Sequence, residues 1–160
     1  MEIRRYKLDD CSEIYKLYYN TVRTVNLKDY TKEQVEAWAP AGDNPDDWGK
    51  VFLDSYAVVA ELDNKIVGFG NIDNTGYLDM LYVHADYQGM GIASSILLEL
   101  EKYALDNSIK TITTYASITL KPMLEKRGFK IEKKQTVEKN GQILTNFHMI
   151  KVLQQHNTIK

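Results

Sequence analysis

The chain has 160 residues and one cysteine, carries a formal net charge of -2, and 26% of its residues are charged. This length suits one domain with a single sizeable core. The charge argues against nucleic acid or an anionic membrane as a partner, because such binders are usually basic. Cys11 cannot form an intramolecular disulfide, and the sequence shows neither a signal peptide nor an apolar run of membrane-spanning length. We therefore expect a cytoplasmic protein.

The first third of the chain has one strand pattern followed by helix patterns. EIRRY (2–6) is predicted as a strand, and Asp9 or Asp10 is predicted to cap a first helix. The apolar face of that helix carries Ile14, Leu17, Tyr18 and Val22. Thr31 and Gln34 have capping-box spacing, so a second helix should follow and end before the next proline. A short third helix near Trp48 is also expected.

Strand patterns dominate the rest of the chain. They are YAVVAEL (56–62), KIVGFGNI (65–72), YLDMLYV (77–83), KTITTYA (110–116), FKIEKKQTVEK (129–139) and a last strand to about Val152. Helices are predicted from the glycines after the fourth strand to about Leu105, and near KPMLEKR (121–127). This order predicts a layered α+β fold, with a mixed, mainly antiparallel sheet of about six or seven strands and helices on both faces. One domain should span 1–153, with a frayed tail over 154–160.

The segment QGMGIA (88–93) stands where a strand pattern gives way to a helix pattern. Glycine suits an unusual backbone angle or the close approach of another group, and the free amides at the start of a helix attract anions. A tight turn without a ligand is one interpretation. A dinucleotide loop would need a third glycine, and a Walker loop would need Gly-Lys-Ser/Thr; neither is present. The remaining interpretation is a cradle for the pyrophosphate of coenzyme A.

Gln88-Gly89-Met90-Gly91-Ile92-Ala93 resembles the Gln/Arg-x-x-Gly-x-Gly/Ala signature of the GNAT superfamily of N-acetyltransferases. In that family a strand ending in Val-x-Pro comes first, and here Val83-His84-Ala85 has alanine in place of proline. MLEKRGF (123–129) is similar to the family's Phe-Tyr-x-x-x-Gly-Phe, and the element order matches along nearly the whole chain. TVRTVNLKDY (21–30) and VEAWAP (35–40) resemble the YafP-type branch. The resemblance implies acetyl-CoA as the acyl donor.

The resemblance also implies where the cofactor lies. The strand backbone expected to pair with the pantetheine arm is that of Leu81, Tyr82 and Val83. In the family this strand separates from the next one, which opens a slot for the thioester. The amides expected to hold the pyrophosphate are those of Gly89, Met90, Gly91, Ile92, Ala93 and Ser94. Gln88 is expected to tie this loop down, and Ser117 falls where many relatives carry an asparagine that contacts the cofactor.

Direct acetyl transfer needs a neutral amine, a donor to the oxyanion and a proton for the departing thiolate. It needs no enzyme nucleophile, so Cys11 is interpreted as structural. Asp79 occupies a position where relatives often place a carboxylate, and is the candidate base; an ordinary polar strand residue is the alternative. The family's usual tyrosine acid is replaced by Leu124. Tyr115, Tyr82 and Tyr30 are the candidate substitutes, and unassisted thiolate departure stays open. We predict Asp79 and Tyr115 as the catalytic pair.

The implied activity is acetyl transfer from acetyl-CoA to an amine of a small molecule, with the acceptor between the first two helices and the C-terminal strands. A non-catalytic acyl-CoA sensor and a protein N-acetyltransferase are the alternatives. His84, His148 and His156 are dispersed along the chain, which argues against a metal site. Members of the family are often monomers or dimers, and we expect a monomer or homodimer.

Overall fold

A computed structural model describes residues 1–43 and 46–153. The expected tail, which includes His156, lies outside the described residues, so the domain limit at residue 153 stays a prediction. The elements are β1 (Glu2–Arg5), α1 (Cys11–Thr24), α2 (Lys32–Trp38), α3 (Asp46–Leu53), β2 (Tyr56–Leu62), β3 (Lys65–Ile72), β4 (Leu78–Val83), α4 (Ile92–Asp106), β5 (Thr111–Ser117), α5 (Lys121–Lys126), β6 (Lys130–Lys139) and β7 (Gln142–Val152). Every strand and helix that the sequence predicts is therefore present in these ranges.

The strands form two antiparallel sheets, which have the orders β1-β2-β3-β4 and β5-β7-β6. A single parallel bridge between Tyr77 and Thr113 joins the sheets. The predicted fold class, with its mainly antiparallel strands, is confirmed. The separation between β4 and β5 agrees with the splay that the family resemblance implies. The strand patterns alone do not reveal it, because they report side-chain burial and not the identity of the neighbouring strand.

Helices cover both faces of the strand layer. On one face Ile96, Leu97 and Leu100 of α4 pack in a core cluster with apolar residues of β2, β3 and β4. On the other face α1, α2 and α3 cover a second cluster that includes Ile14 and Phe69. Because β2 and β3 are buried on both sides, they have near-continuous apolar sequences.

The ends of α1 and α2 are stabilised in different ways. Thr31 and Gln34 form the predicted capping box at α2, with hydrogen bonds of 3.1 and 2.9 Å between each side chain and the other's backbone amide. Asp10 stands at the N-cap of α1, but its side chain makes no capping hydrogen bond to that helix. It accepts two hydrogen bonds of 2.9 Å from the Arg4 guanidinium, which corrects the predicted capping role. A charge-assisted bidentate partner outcompetes the helix amides.

Gly76 lies at the junction of the two sheets. Its carbonyl accepts a 3.0 Å hydrogen bond from the amide of Thr113, and its φ is +91°. A Cβ atom at this position would overlap the carbonyl oxygen of Thr111 and lie 2.9 Å from the side chain of Ile109. Close packing at the junction therefore requires glycine.

We expect Gly76→Ala to lower the free energy of unfolding more than Gly141→Ala, measured by chemical denaturation. Both glycines have positive φ, which costs alanine about 1–2 kcal/mol, but nothing lies within 4 Å of a Cβ at Gly141. The overlap at Gly76 should add about 1–3 kcal/mol. Equal losses in the two variants would contradict the steric account of the junction.

Candidate functional site

The divergence of β4 from β5 creates a cavity of about 620 Å³. The start of β4 contacts the middle of β5, where Thr114 Oγ1 donates a 2.7 Å hydrogen bond to the carbonyl of Leu78. Beyond this contact β4 is paired with β3 on one edge, and no strand of the described chain pairs with its other edge. Backbone groups of β4 consequently face the cavity, as at the edge of an open sheet.

Most of the predicted cofactor residues lie in the wall of this cavity. Those that line it are Leu81, Tyr82, Val83, Gln88, Gly89, Gly91, Ile92, Ala93, Ser94 and Ser117. Met90 does not line it, and its side chain is 61% exposed. The Ser117 hydroxyl accepts a 3.0 Å hydrogen bond from the amide of Leu120, so it also shapes the turn before α5.

The glycine loop connects the open end of the cavity to α4. Gly89 and Gly91 have φ values of +75° and +78°, and a Cβ at either position would meet only open space. The Gln88 side-chain amide donates a 2.8 Å hydrogen bond to the carbonyl of Val83, which ties the loop to the end of β4. α4 begins at Ile92, immediately after the loop. Free amides at a helix start, beside an unobstructed surface, make a site suited to an anion.

Three basic residues near the loop were missed by sequence reasoning. Lys28 and Lys126 line the cavity, and Arg127 donates a 3.1 Å hydrogen bond from Nε to the hydroxyl of Ser94. Lys28 comes from the segment after α1, whereas the other two belong to the end of α5. The only sequence signal was that two of these residues lie beside the Gly-Phe motif. Their positive charges make the cavity better suited to phosphate groups.

Asp79 lies in the cavity wall at an irregularity of β4. The register with β3 shifts here, because Met80 pairs with Asn71 and Leu78 pairs with Ile72, leaving Asp79 without an opposite residue. Asp79 is exposed to solvent, and its carboxyl group lies against the protein atoms of the cavity wall on one side. This partial burial raises the pKa of Asp79 above its ordinary value, and a hydrogen bond from Asn71 opposes the increase. Partial burial of a carboxyl group is typical of a general base or acid.

The candidate tyrosine acids differ in location. Tyr115 lines the cavity and is 49% exposed. The Tyr30 hydroxyl is committed elsewhere, because it donates to the carbonyl of Thr145 at 2.6 Å and accepts from the amide of Ile118 at 2.9 Å. Tyr82 also lines the cavity, but its ring packs against Tyr18 and Phe69, and burial raises the pKa of its hydroxyl well above the ordinary range. Tyr115 is therefore the candidate with the most accessible hydroxyl.

Two other residues occupy structural positions. Leu124 is fully buried in the cluster under α4 and does not line the cavity. Cys11 is buried at the start of α1, in the cluster on the opposite face. The location of Cys11 agrees with its interpretation as a structural residue.

His84 and His148 lie apart. The Nδ1 atom of His84 accepts a 3.0 Å hydrogen bond from the amide of Asp86, whereas His148 stacks on Tyr115. Within residues 1–43 and 46–153 no three His, Cys, Asp or Glu side chains are grouped as metal ligands would be. Over the same residues no helix is long and apolar enough to cross a membrane.

Comparison with known sequences identifies relatives over nearly the whole chain. Residues 26–151 match the family described as "Acetyltransferase (GNAT) domain". The chain is also 33% identical over 150 residues to an Escherichia coli (strain K12) protein called uncharacterized N-acetyltransferase YafP. That match covers 93% of this chain and 94% of the relative.

Solved structures show the same fold. A GCN5-related N-acetyltransferase (aminotransferase, class II) from Rhodopseudomonas palustris superposes with a TM-score of 0.90 at 30% identity, with 95% of each chain covered. PaiA N-acetyltransferase from Thermoplasma acidophilum, in complex with coenzyme A, superposes with a TM-score of 0.78 at 21% identity. This second match covers 95% of this chain and 98% of PaiA. At 21% identity it shows a shared fold only.

Proposed function

Because the chain belongs to the GNAT family of acetyltransferases, as the QGMGIA motif (88–93) indicated, we propose that it transfers an acetyl group from acetyl-CoA to an amine of a small molecule. The observation that carries this proposal is the continuous path formed by the unpaired edge of β4 and the glycine loop. One part of that path offers strand backbone to an extended arm. The other offers free amides to a pyrophosphate.

The cofactor would lie along this path in an extended form. The pantetheine amides would pair with the backbone of Leu81, Tyr82 and Val83, as an added strand does. The amides from Gly89 to Ser94 would hold the pyrophosphate, and Lys28, Lys126 and Arg127 would supply opposite charge. The thioester would then lie between β4 and β5, near Asp79. PaiA, which has the same fold, was solved in complex with coenzyme A, and this supports the choice of cofactor.

In the proposed reaction the amine nitrogen attacks the carbonyl carbon of the thioester. Asp79 accepts a proton from the amine, directly or through a water molecule, and its partly buried carboxylate suits that role. The carbon–sulfur bond then breaks, and Tyr115 donates a proton to the departing thiolate. Cys11 takes no part, because it lies in the core on the face covered by α1.

A non-catalytic acyl-CoA sensor is the second candidate, and the observation that favours it is Leu124. This residue replaces the family's usual acid with a side chain that has no hydroxyl and is fully buried. Release of thiol from acetyl-CoA, measured across a panel of small amines and peptides with free N-termini, separates the candidates. Amine-dependent release is expected from the enzyme. Tight binding of acetyl-CoA, with no thiol release in the presence of any acceptor, would establish the sensor instead.

We expect Tyr115→Phe to lower kcat by about 100-fold, the lower end of what a positioned proton donor contributes. Affinity for acetyl-CoA should be unchanged, because the ring remains. Tyr30→Phe is the matched control, since its hydroxyl bonds to backbone groups of Thr145 and Ile118. It should lower stability and leave kcat nearly unchanged. An unaltered kcat in Tyr115→Phe would mean that the thiolate leaves without assistance.

A further inference from the structure

Side-chain hydrogen bonds close the seam between α2 and the β6–β7 hairpin. Tyr30, just before α2, donates to a carbonyl of β7 at 2.6 Å. The Gln34 amide donates to another β7 carbonyl at 2.8 Å, and the Asn140 amide in the hairpin turn donates to a carbonyl of α2 at 2.7 Å. Leu144 of β7 is buried in the cluster that α1 and α2 cover. An acceptor cannot pass through this seam unless these contacts break.

A second set of contacts spans the wide end of the gap between β4 and β5. The Asn26 amide donates to the Thr119 hydroxyl at 3.1 Å, and this hydroxyl donates to a carboxylate oxygen of Asp29 at 2.9 Å. These contacts join the segment after α1 to the turn before α5. At the narrow end, Thr114 closes the gap by its hydrogen bond to β4. Both ends of the gap are thus closed on this face.

The remaining side of the described site is formed by β5, β7 and the residue before β4. Three aromatic rings lie in a row there. Tyr115 lies 4.9 Å from His148 in a stacked arrangement and 6.1 Å from Tyr77 in an edge arrangement, measured between ring centroids. Tyr77 is two residues before Asp79 in the chain, and Asp79 and Tyr115 line the same cavity. Tyr77 is half-buried, which raises the pKa of its hydroxyl, and the charge of Asp79 adds to this increase. The ring row (Tyr77, Tyr115 and His148) therefore adjoins the proposed base.

We infer that the amine acceptor reaches Asp79 across the ring row, and that this row binds an aromatic group carried by the acceptor. This inference rests on the proposed acetyl transfer. Aromatic groups pack favourably against protein rings in offset or edge arrangements, and each such pair contributes about 0.5–1.5 kcal/mol beyond its buried area. The half-exposed side chain of Tyr115 supplies the surface for this contact.

The charges near the row favour an aromatic group over a second ammonium group. Lys133 of β6 is the cross-strand partner of His148, so the two side chains lie on one face of the sheet. Asp79 attracts the reacting amine, and Asp73 adds to the negative charge that acts on Tyr77 and Asp79. Lys133 repels a further positive charge beside His148. The acceptor class that fits is a monoamine with an aromatic substituent.

The test compares phenethylamine with propylamine and putrescine as acceptors, using thiol release from acetyl-CoA. The intact protein should have the highest kcat/KM with phenethylamine. His148→Ala should raise KM for phenethylamine roughly three- to tenfold, the equivalent of one lost aromatic pair, and change kcat/KM for propylamine less than twofold. Thr136→Ala, on the opposite face of the same sheet, is the control for packing. Equal use of phenethylamine and propylamine, or a KM for phenethylamine that His148→Ala leaves unchanged, overturns the inference.

The route is tested separately by the double variant Gln34→Ala/Asn140→Ala, which loosens the seam. KM for phenethylamine should change less than twofold, because the acceptor does not use that passage. A marked fall in KM or rise in kcat would place entry at the seam and overturn the ring-row route. Absence of transfer to every amine is a distinct outcome, because it overturns the proposed function together with this inference. If transfer is preserved but KM for phenethylamine does not depend on the ring row, only the inference is overturned.

Discussion

Gly91→Glu is expected to abolish binding of acetyl-CoA while the domain stays folded. The new side chain would enter the open space beside the loop amides and bring a negative charge to the proposed pyrophosphate site. Two unit charges 4 Å apart near a protein surface repel by about 4 kcal/mol, which corresponds to about a thousandfold loss of affinity. Calorimetric titration with coenzyme A measures the loss, and circular dichroism checks the fold.

Gly141→Glu is the matched control for this variant. Gly141 also has positive φ, at +83°, and open space around a Cβ, but it lies in the turn between β6 and β7. Both variants should lose about 1–2 kcal/mol of stability through backbone strain. Only Gly91→Glu should lose affinity for coenzyme A. Unchanged affinity in Gly91→Glu would refute the assignment of the loop as the cofactor site.

Asp79→Asn is expected to lower kcat/KM by about 100-fold to 10,000-fold, the range for loss of a positioned base. The ratio of intact to variant activity should be largest on the acid side of the amine's own pKa, where the acceptor must lose a proton. It should decline at still lower pH, where Asp79 is itself protonated. Affinity for acetyl-CoA should barely change. A ratio that is constant across the pH range would assign Asp79 a positioning role.

Asp79→Asn is also expected to raise the stability of the fold at neutral pH, although it lowers activity. Burial raises the pKa of Asp79 above its ordinary 3.8, so the folded protein holds this proton more tightly than the unfolded chain. Ionised Asp79 therefore destabilises the fold at neutral pH, and the cost disappears as pH falls below 3.8. Asp79→Asn should melt at a higher temperature than the intact protein at neutral pH. No difference should remain in acid, and thermal unfolding across pH measures both.

The secondary structure was predictable because its signals are local. β2 and β3 have the boundaries that their apolar runs indicate, and the capping box before α2 forms as Thr31 and Gln34 predict. The glycine loop was also visible, since Gly89 and Gly91 adopt the positive φ that explains their presence. In each case a few neighbouring residues contain the whole physical cause.

The roles of single side chains were less predictable, because their partners are distant in sequence. Tyr30 was a candidate acid from the sequence, but its hydroxyl forms hydrogen bonds with backbone groups of Thr145 and Ile118. Asp10 was expected to cap α1, but it pairs with Arg4 of β1. A tyrosine or an aspartate can serve many partners, and only the fold decides which of them is within reach.

The sequence by itself determined the order of the elements, the GNAT family and the position of the glycine loop, because these depend on short patterns whose residues are adjacent. The tertiary structure alone decided that Lys28 and Lys126 face one cavity, and that Tyr77, Tyr115 and His148 form a row beside Asp79. These features join strands and helices from distant parts of the chain. Their geometry follows from how the two sheets and their helices pack, which no local pattern of residues contains.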